Sequence, residues 1–260
     1  MTPFADAQVD AIRDLQAACG EVPFVLVGAM ALLCHFEKWE GTRDLDLSVA
    51  ASVDELESIA SRLTGWKRDP RREHEWTSPG GVLVDLLPAG PEILNAGEFV
   101  WPGSGRRMNM VGFRLVLDWN IPIAIDTGEP LRVAPVPAIA LLKMAAYLDR
   151  PLERSRDLRD LAHIWDEYEY YGDGRYLAAE ADATIGHESA GAFLIGHELA
   201  QRINENENSL ARAFLAKMTS DTDQDNTLDR MAREGPRGRA MRPDDYLDCA
   251  AAMLRGLETR

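Results

Sequence analysis

Cysteine is scarce in this chain: Cys19, Cys34 and Cys249 are the three in 260 residues. An odd count at such wide spacing excludes a disulfide framework and a thiolate zinc cluster as organising features. Positive charge is also short, with 28 basic residues against 43 acidic ones and a net charge of −15. That balance excludes a surface built throughout as an electrostatic glove for nucleic acid, while leaving room for one basic stripe. Long apolar runs are missing. The longest, Val22 to Phe36, is too short to span a bilayer and is interrupted by Gly28. Acids within the first ten residues and the lack of an apolar leader segment predict no signal peptide, no membrane association and a cytoplasmic protein. Common signature motifs are absent as well: there is no phosphate-binding G-x-x-x-x-G-K-[ST], no G-x-G-x-x-G and no G-x-S-x-G. His-Glu occurs at His74, His187 and His197, but none continues to H-E-x-x-H, so a zinc hydrolase is excluded.

What is present is an ordinary globular composition, 46% hydrophobic and 27% charged, of a length that suits one or two domains. Val9, Ile12, Leu15 and Ala18 predict a surface helix over residues 5–19. Phe24-Val25-Leu26-Val27 reads as a buried strand that Gly28 turns into a helix over 29–36. Leu45, Leu47 and Val49 alternate with Asp44, Asp46 and Ser48, the period of a half-buried strand. Ser52 and Glu55 form a capping-box pair that opens a helix to about residue 63. Val82 to Leu87 reads as another strand, and residues 109–136 as short strands between Gly and Pro. Beyond residue 137 the periodicity is helical, near 138–148, 156–168, 189–203, 209–218 and 243–257, with loops at 219–226 and 233–242. The expected fold class is α/β (α+β): a mixed-sheet domain over 1–136 and an all-helical domain over 137–260.

Asp44 and Asp46 stand out from other Asp-x-Asp matches because a strand would aim both carboxylates from one face. Such a pair suits a hard cation like Mg²⁺, and two such ions can clamp an in-line phosphoryl displacement. Upstream, the strand-to-helix turn at Gly28 presents backbone N–H groups to a phosphate. Asp85 sits alone in an apolar strand, where an unpaired carboxylate is costly, so a polar site is expected around it. Lys143 lies within the apolar helix Ile139 to Ala146 and either snorkels to water or meets an anion. Asp157 and Asp160 either line a site or make surface ion pairs with Arg154, Arg156 or Arg159.

Taken together, Gly28-Ala29, Thr42-Arg43-Asp44-Leu45-Asp46-Leu47 and the strand aspartate Asp85 resemble the DNA polymerase β-type nucleotidyltransferase superfamily. More narrowly, the chain is similar to the AbiEii-type nucleotidyltransferase toxins, with Lys143, Arg150 and the Arg156-Asp157-Leu158-Arg159-Asp160-Leu161 helix matching that family's later elements. The resemblance covers roughly residues 20–165. It implies transfer of a nucleoside monophosphate from an NTP to an acceptor hydroxyl, with Asp44 and Asp46 bridging two Mg²⁺ ions. Asp85 would complete the metal site and take the acceptor's proton. Gly28, Ala29, Arg43, Lys143, Asp157 and Asp160 would bind the nucleotide, and an antitoxin protein is an implied partner. One departure is evident: Ala29 stands where the superfamily commonly has serine.

The acceptor divides the readings. RNA, such as tRNA, needs a basic surface, for which Lys67-Arg68 with Arg71-Arg72, Arg106-Arg107 and the Arg230 to Arg242 segment are candidates. A small cationic acceptor of the aminoglycoside type suits the net charge of −15. A catalytically silent fold kept as a binding module suits the missing serine.

Overall fold

Phe24, Val25, Leu26 and Val27 are all buried, and this β-branched and aromatic run forms β1 (Phe24–Val27) at the heart of a sheet. In the computed structural model, the described residues are 3–36, 42, 44–168, 185–219, 226–235 and 241–259. They fall into two compact units, Met1–Pro135 and Val136–Arg260.

In the first unit, α1 (Asp6–Cys19) precedes β1, and α2 (Gly28–Leu33) follows it directly. β2 (Leu45–Val49) and α3 (Val53–Ala60) come next. The predicted capping box is formed: the Ser52 hydroxyl accepts from the Glu55 N–H at 3.3 Å and Glu55 accepts from the Ser52 N–H at 2.8 Å. Two short strands, β3 (Lys67–Arg68) and β4 (Glu75–Thr77), lead to β5 (Leu83–Pro88). After α4 (Pro91–Ala96), the strands β6 (Glu98–Val100) and β7 (Arg107–Asn109) form a separate hairpin. α5 (Phe113–Asp118), β8 (Ile121–Ile123) and β9 (Leu131–Val133) complete the unit. The main sheet has seven strands in the order β3-β4-β5-β2-β1-β9-β8. It is mixed, with β2 parallel to β5 and antiparallel to β1.

Two expectations change here. The 109–136 region is not strands alone, because Phe113 to Asp118 closes into a helix that packs on β1 and β2. Nor does β2 alternate: Leu47, Ser48 and Val49 are all buried, since the strand is central in the sheet and α2 and α5 lie against it. Only Asp46 remains partly open.

The second unit is helical throughout its described residues: α6 (Val136–Asp149), α7 (Ser155–Glu167), α8 (Ala190–Ala200), α9 (Glu205–Thr219), α10 (Thr227–Glu234) and α11 (Pro243–Gly256), with a short 3₁₀ turn at His187–Ser189. Tyr147, Trp165, Phe214 and Tyr246 fill its core. α8 and α11 approach closely because Gly196 faces the Met253 carbonyl and Gly256 faces the Phe193 carbonyl, where a Cβ would overlap either oxygen. α10 is an addition to the expected helices. The predicted loops at 219–226 and 233–242 lie largely outside the described residues, at 220–225 and 236–240. No described helix is long and apolar enough to cross a membrane.

Candidate active site

The turn from β1 into α2 is built on Gly28, which has φ +72°, a conformation that disfavours any residue with a Cβ. A second constraint is steric. A Cβ at position 28 would overlap Oδ2 of Asp46, so the absence of a side chain brings the α2 backbone directly against that carboxylate. Ala29, the next residue, is partly buried and adds no polar atom.

Asp46 lies opposite Val27 on β1 and opposite Asp85 on β5. Residues in register on adjacent strands project from the same face, so Asp46 and Asp85 share one side of the sheet. Both are partly exposed while their neighbours along each strand are buried. Asp44 precedes β2 instead of lying within it, is exposed, and its N–H donates to Thr42 Oγ1 at 3.3 Å. Arg43 lies outside the described residues.

On its other side β5 pairs with β4, placing Glu75 in register with Asp85. Glu75 is engaged by Arg72 at 2.7 Å, and His74 Nε2 stands 3.8 Å from Asp85 Oδ2. Burial, with help from the nearby Arg106, holds the His74 imidazole below the ordinary histidine range. In the sequence His74 stands out only as one of three His-Glu dipeptides, and nothing in its spacing links it to Asp85; the β4–β5 pairing does so.

Among the described residues, no three His, Cys, Asp or Glu side chains converge as a ready-made metal cage. The donor set instead fits a cation that takes one or two carboxylates and completes its shell with water and substrate phosphates, as Mg²⁺ does.

In the second unit, Lys143 on α6 meets two carboxylates of α7. Its Nζ is 2.9 Å from Asp157 Oδ1 and 2.7 Å from Asp160 Oδ2. Burial alone would lower the ammonium's pKa, but the two carboxylates overcome it and raise the group above its ordinary value. Both aspartates are about 6% exposed and so lie off the surface, and their close partner is Lys143. The outer arginines are farther, with Arg154 Nε 3.8 Å from Asp157 and Arg159 Nε 3.8 Å from Asp160. Asp157 Oδ2 has no hydrogen-bond partner among the described residues.

The basic clusters are placed as follows. Glu73 accepts from the Gly103 and Ser104 N–H groups at 2.8 Å each, tying the loop that carries Arg71 and Arg72 to the hairpin that carries Arg106 and Arg107. Arg68 and Arg107 are paired with Glu57 and Glu98. Arg230 and Arg233 line a cavity of about 470 Å³ with Ser155, Asn226 and Glu234.

No curated protein shows significant sequence similarity to the chain. Among solved structures, ANT(2'')-Ia, described as an antibiotic-resistance factor, is similar at 18% identity and TM-score 0.36, over 58% of this chain and 77% of that one. JHP933 from Helicobacter pylori is similar at 14% identity and TM-score 0.38, over 98% of this chain and 94% of that one. A putative nucleotidyltransferase from H. pylori is similar at 12% identity and TM-score 0.35, covering 98% and 96%. The sequence profile of the AbiEii nucleotidyl transferase toxins of type IV toxin–antitoxin systems matches residues 11–258, nearly the whole chain, and the protein belongs to that family.

Proposed function

We propose that this nucleotidyltransferase uses Mg²⁺ to move a nucleoside monophosphate from an NTP to a hydroxyl of RNA, with tRNA as the first substrate to test. The observation that carries this reading is the Asp46–Asp85 register with Gly28 packed against Asp46. Asp44, Asp46 and Asp85 are the residues that would hold the metal. When bound, Mg²⁺ neutralises phosphate charge as the transferred group changes partners.

The chain's own groups do the remaining work. Gly28 and Ala29 offer backbone, not side chains, to the triphosphate. Lys143, whose ammonium is engaged by Asp157 and Asp160, is assigned to the nucleotide by the resemblance alone. Arg43 is assigned to the nucleotide by the resemblance alone. Asp85 takes the proton of the acceptor hydroxyl as its oxygen bonds to the α-phosphorus and the bond to pyrophosphate breaks.

The RNA assignment rests on strand order. β1 and the Gly28 turn lie on one side of the aspartate pair, and β4 lies on the other, beyond β5. The β4 side carries Arg71 and Arg72, joined through Glu73 to the hairpin of Arg106 and Arg107. Arginine there suits a phosphate backbone. The net charge of −15 favours the alternative, a small cationic acceptor. Family membership points to an antitoxin protein as partner.

The test incubates the protein with Mg²⁺ and each α-labelled NTP, offering bulk tRNA or an aminoglycoside mixture. Label on tRNA, lost in Asp44→Ala/Asp46→Ala, is the expected result. Label on the aminoglycosides alone would replace the acceptor; label on neither, despite NTP binding, would favour a silent binding module.

A further inference from the structure

His74 is held more firmly than a loop histidine needs to be. Its carbonyl accepts from the Leu86 N–H at 2.8 Å, one residue past Asp85. Its ring packs on Trp101 with centroids 5.3 Å apart, and Trp101, only 4% exposed, is itself braced edge-on by Phe99. The preceding residue, Glu73, spends both carboxylate oxygens on the Gly103 and Ser104 N–H groups. Gly103 lets the two approach closely, since a Cβ there would come within 2.9 Å of Glu73 Oε2. The backbone at His74 is therefore held on both sides of the residue, its ring rests on Trp101, and Nε2 stands 3.8 Å from Asp85 Oδ2.

A carboxylate that must present one oxygen to a metal gains from having its other oxygen fixed by a hydrogen bond, because the rotation is then settled before the ion arrives. At 3.8 Å the two atoms stand just beyond hydrogen-bond length, a slack that catalytic sites commonly lose when the ligand enters. Glu75, the other group in register with Asp85, is already turned to Arg72 and does not compete for the role.

We propose that His74 is a positioning residue, whose Nε2–H holds Asp85 Oδ2 and so sets the rotation at which the Asp85 carboxylate meets the metal. The inference rests on the assignment of Asp46 and Asp85 as metal ligands. Two variants separate this role from simple packing. His74→Gln keeps an N–H donor but loses the ring on Trp101, whereas His74→Phe keeps the ring and loses the donor. Binding of Mn²⁺ alone, read from the electron paramagnetic resonance of the free ion, is compared across the native protein, both variants and Asp46→Asn. The expected result is binding about 10-fold weaker in His74→Phe and near native in His74→Gln, with similar melting temperatures. Native-like binding in His74→Phe, or equal loss in both variants, would overturn the proposal while leaving the metal site intact. Native binding that does not depend on Asp46 would overturn the metal assignment itself, and the role of His74 with it.

Discussion

Asp46 and Asp85 stand in register on the adjacent parallel strands β2 and β5, so both carboxylates leave the same face of the sheet. Everything else in the first unit's candidate site is arranged around that pair: Gly28 backs Asp46, and His74 backs Asp85.

Gly28→Ala is expected to damage activity more than stability. The positive φ costs about 1 kcal/mol in a residue with a Cβ, which leaves most domains folded. The new methyl group must also displace the Asp46 carboxylate. A shift of that kind costs on the order of 10²-fold in rate. Transfer kinetics and a melting curve on the same preparation check this; a fully active Gly28→Ala protein would contradict the packing.

Lys143→Met is expected to destabilise the second unit by about 3–5 kcal/mol, because Asp157 and Asp160 would be left buried without their counter-charge. Adding Asp157→Asn and Asp160→Asn should recover much of that loss, as judged by denaturant unfolding. Loss of activity in Lys143→Met alone therefore does not establish a phosphate contact. The pH dependence has a defined sign. Ion pairing raises the folded-state pKa of Lys143, so its contribution is full below the unfolded value near 10.4 and fades only as pH climbs through the raised one.

At the α8–α11 crossing, Gly196→Ala should cost about 1–3 kcal/mol by driving a methyl group into the Met253 carbonyl. Gly256→Ala should behave alike against Phe193. Since both glycines serve one crossing, the double variant should lose less than the sum of the two. Additive losses in urea unfolding would indicate separate contacts.

The thiols should be slow. Burial pushes Cys34 up to about 12 and Cys19 up to about 11, the latter slightly relieved by Arg62. Cys249 is buried. At pH 8 a disulfide reagent should titrate the native protein slowly and all three cysteines promptly after unfolding in guanidinium. A fast native thiol at Cys19 or Cys249 would contradict the burial of those side chains.

Much of the sheet was legible because its central strands are written in short apolar runs bounded by glycine or proline, as at Phe24–Val27 and Leu83–Leu87. The hairpins were not: three-residue strands such as Glu98–Val100 are too short for a period to show. Phe113 to Asp118 alternates apolar and polar residues closely enough to imitate a strand, and only packing on β1 and β2 makes it a helix. α10 escaped notice because Thr227 and Met231, four apart, are its only buried residues. At the site, Asp46 and Asp85 were readable as candidates from motif resemblance. Their register, and the presence of His74 beside Asp85, arise from strand pairing between distant segments and have no local signature.

The most direct test of the account is transfer of label from α-labelled NTP by native protein, Asp46→Asn and Asp85→Asn, each with a melting curve. Both variants are expected to melt like the native protein and to lose transfer by about 10³-fold or more. Folded Asp46→Asn or Asp85→Asn protein that still transfers at the native rate would show that the paired carboxylates are not the reaction centre.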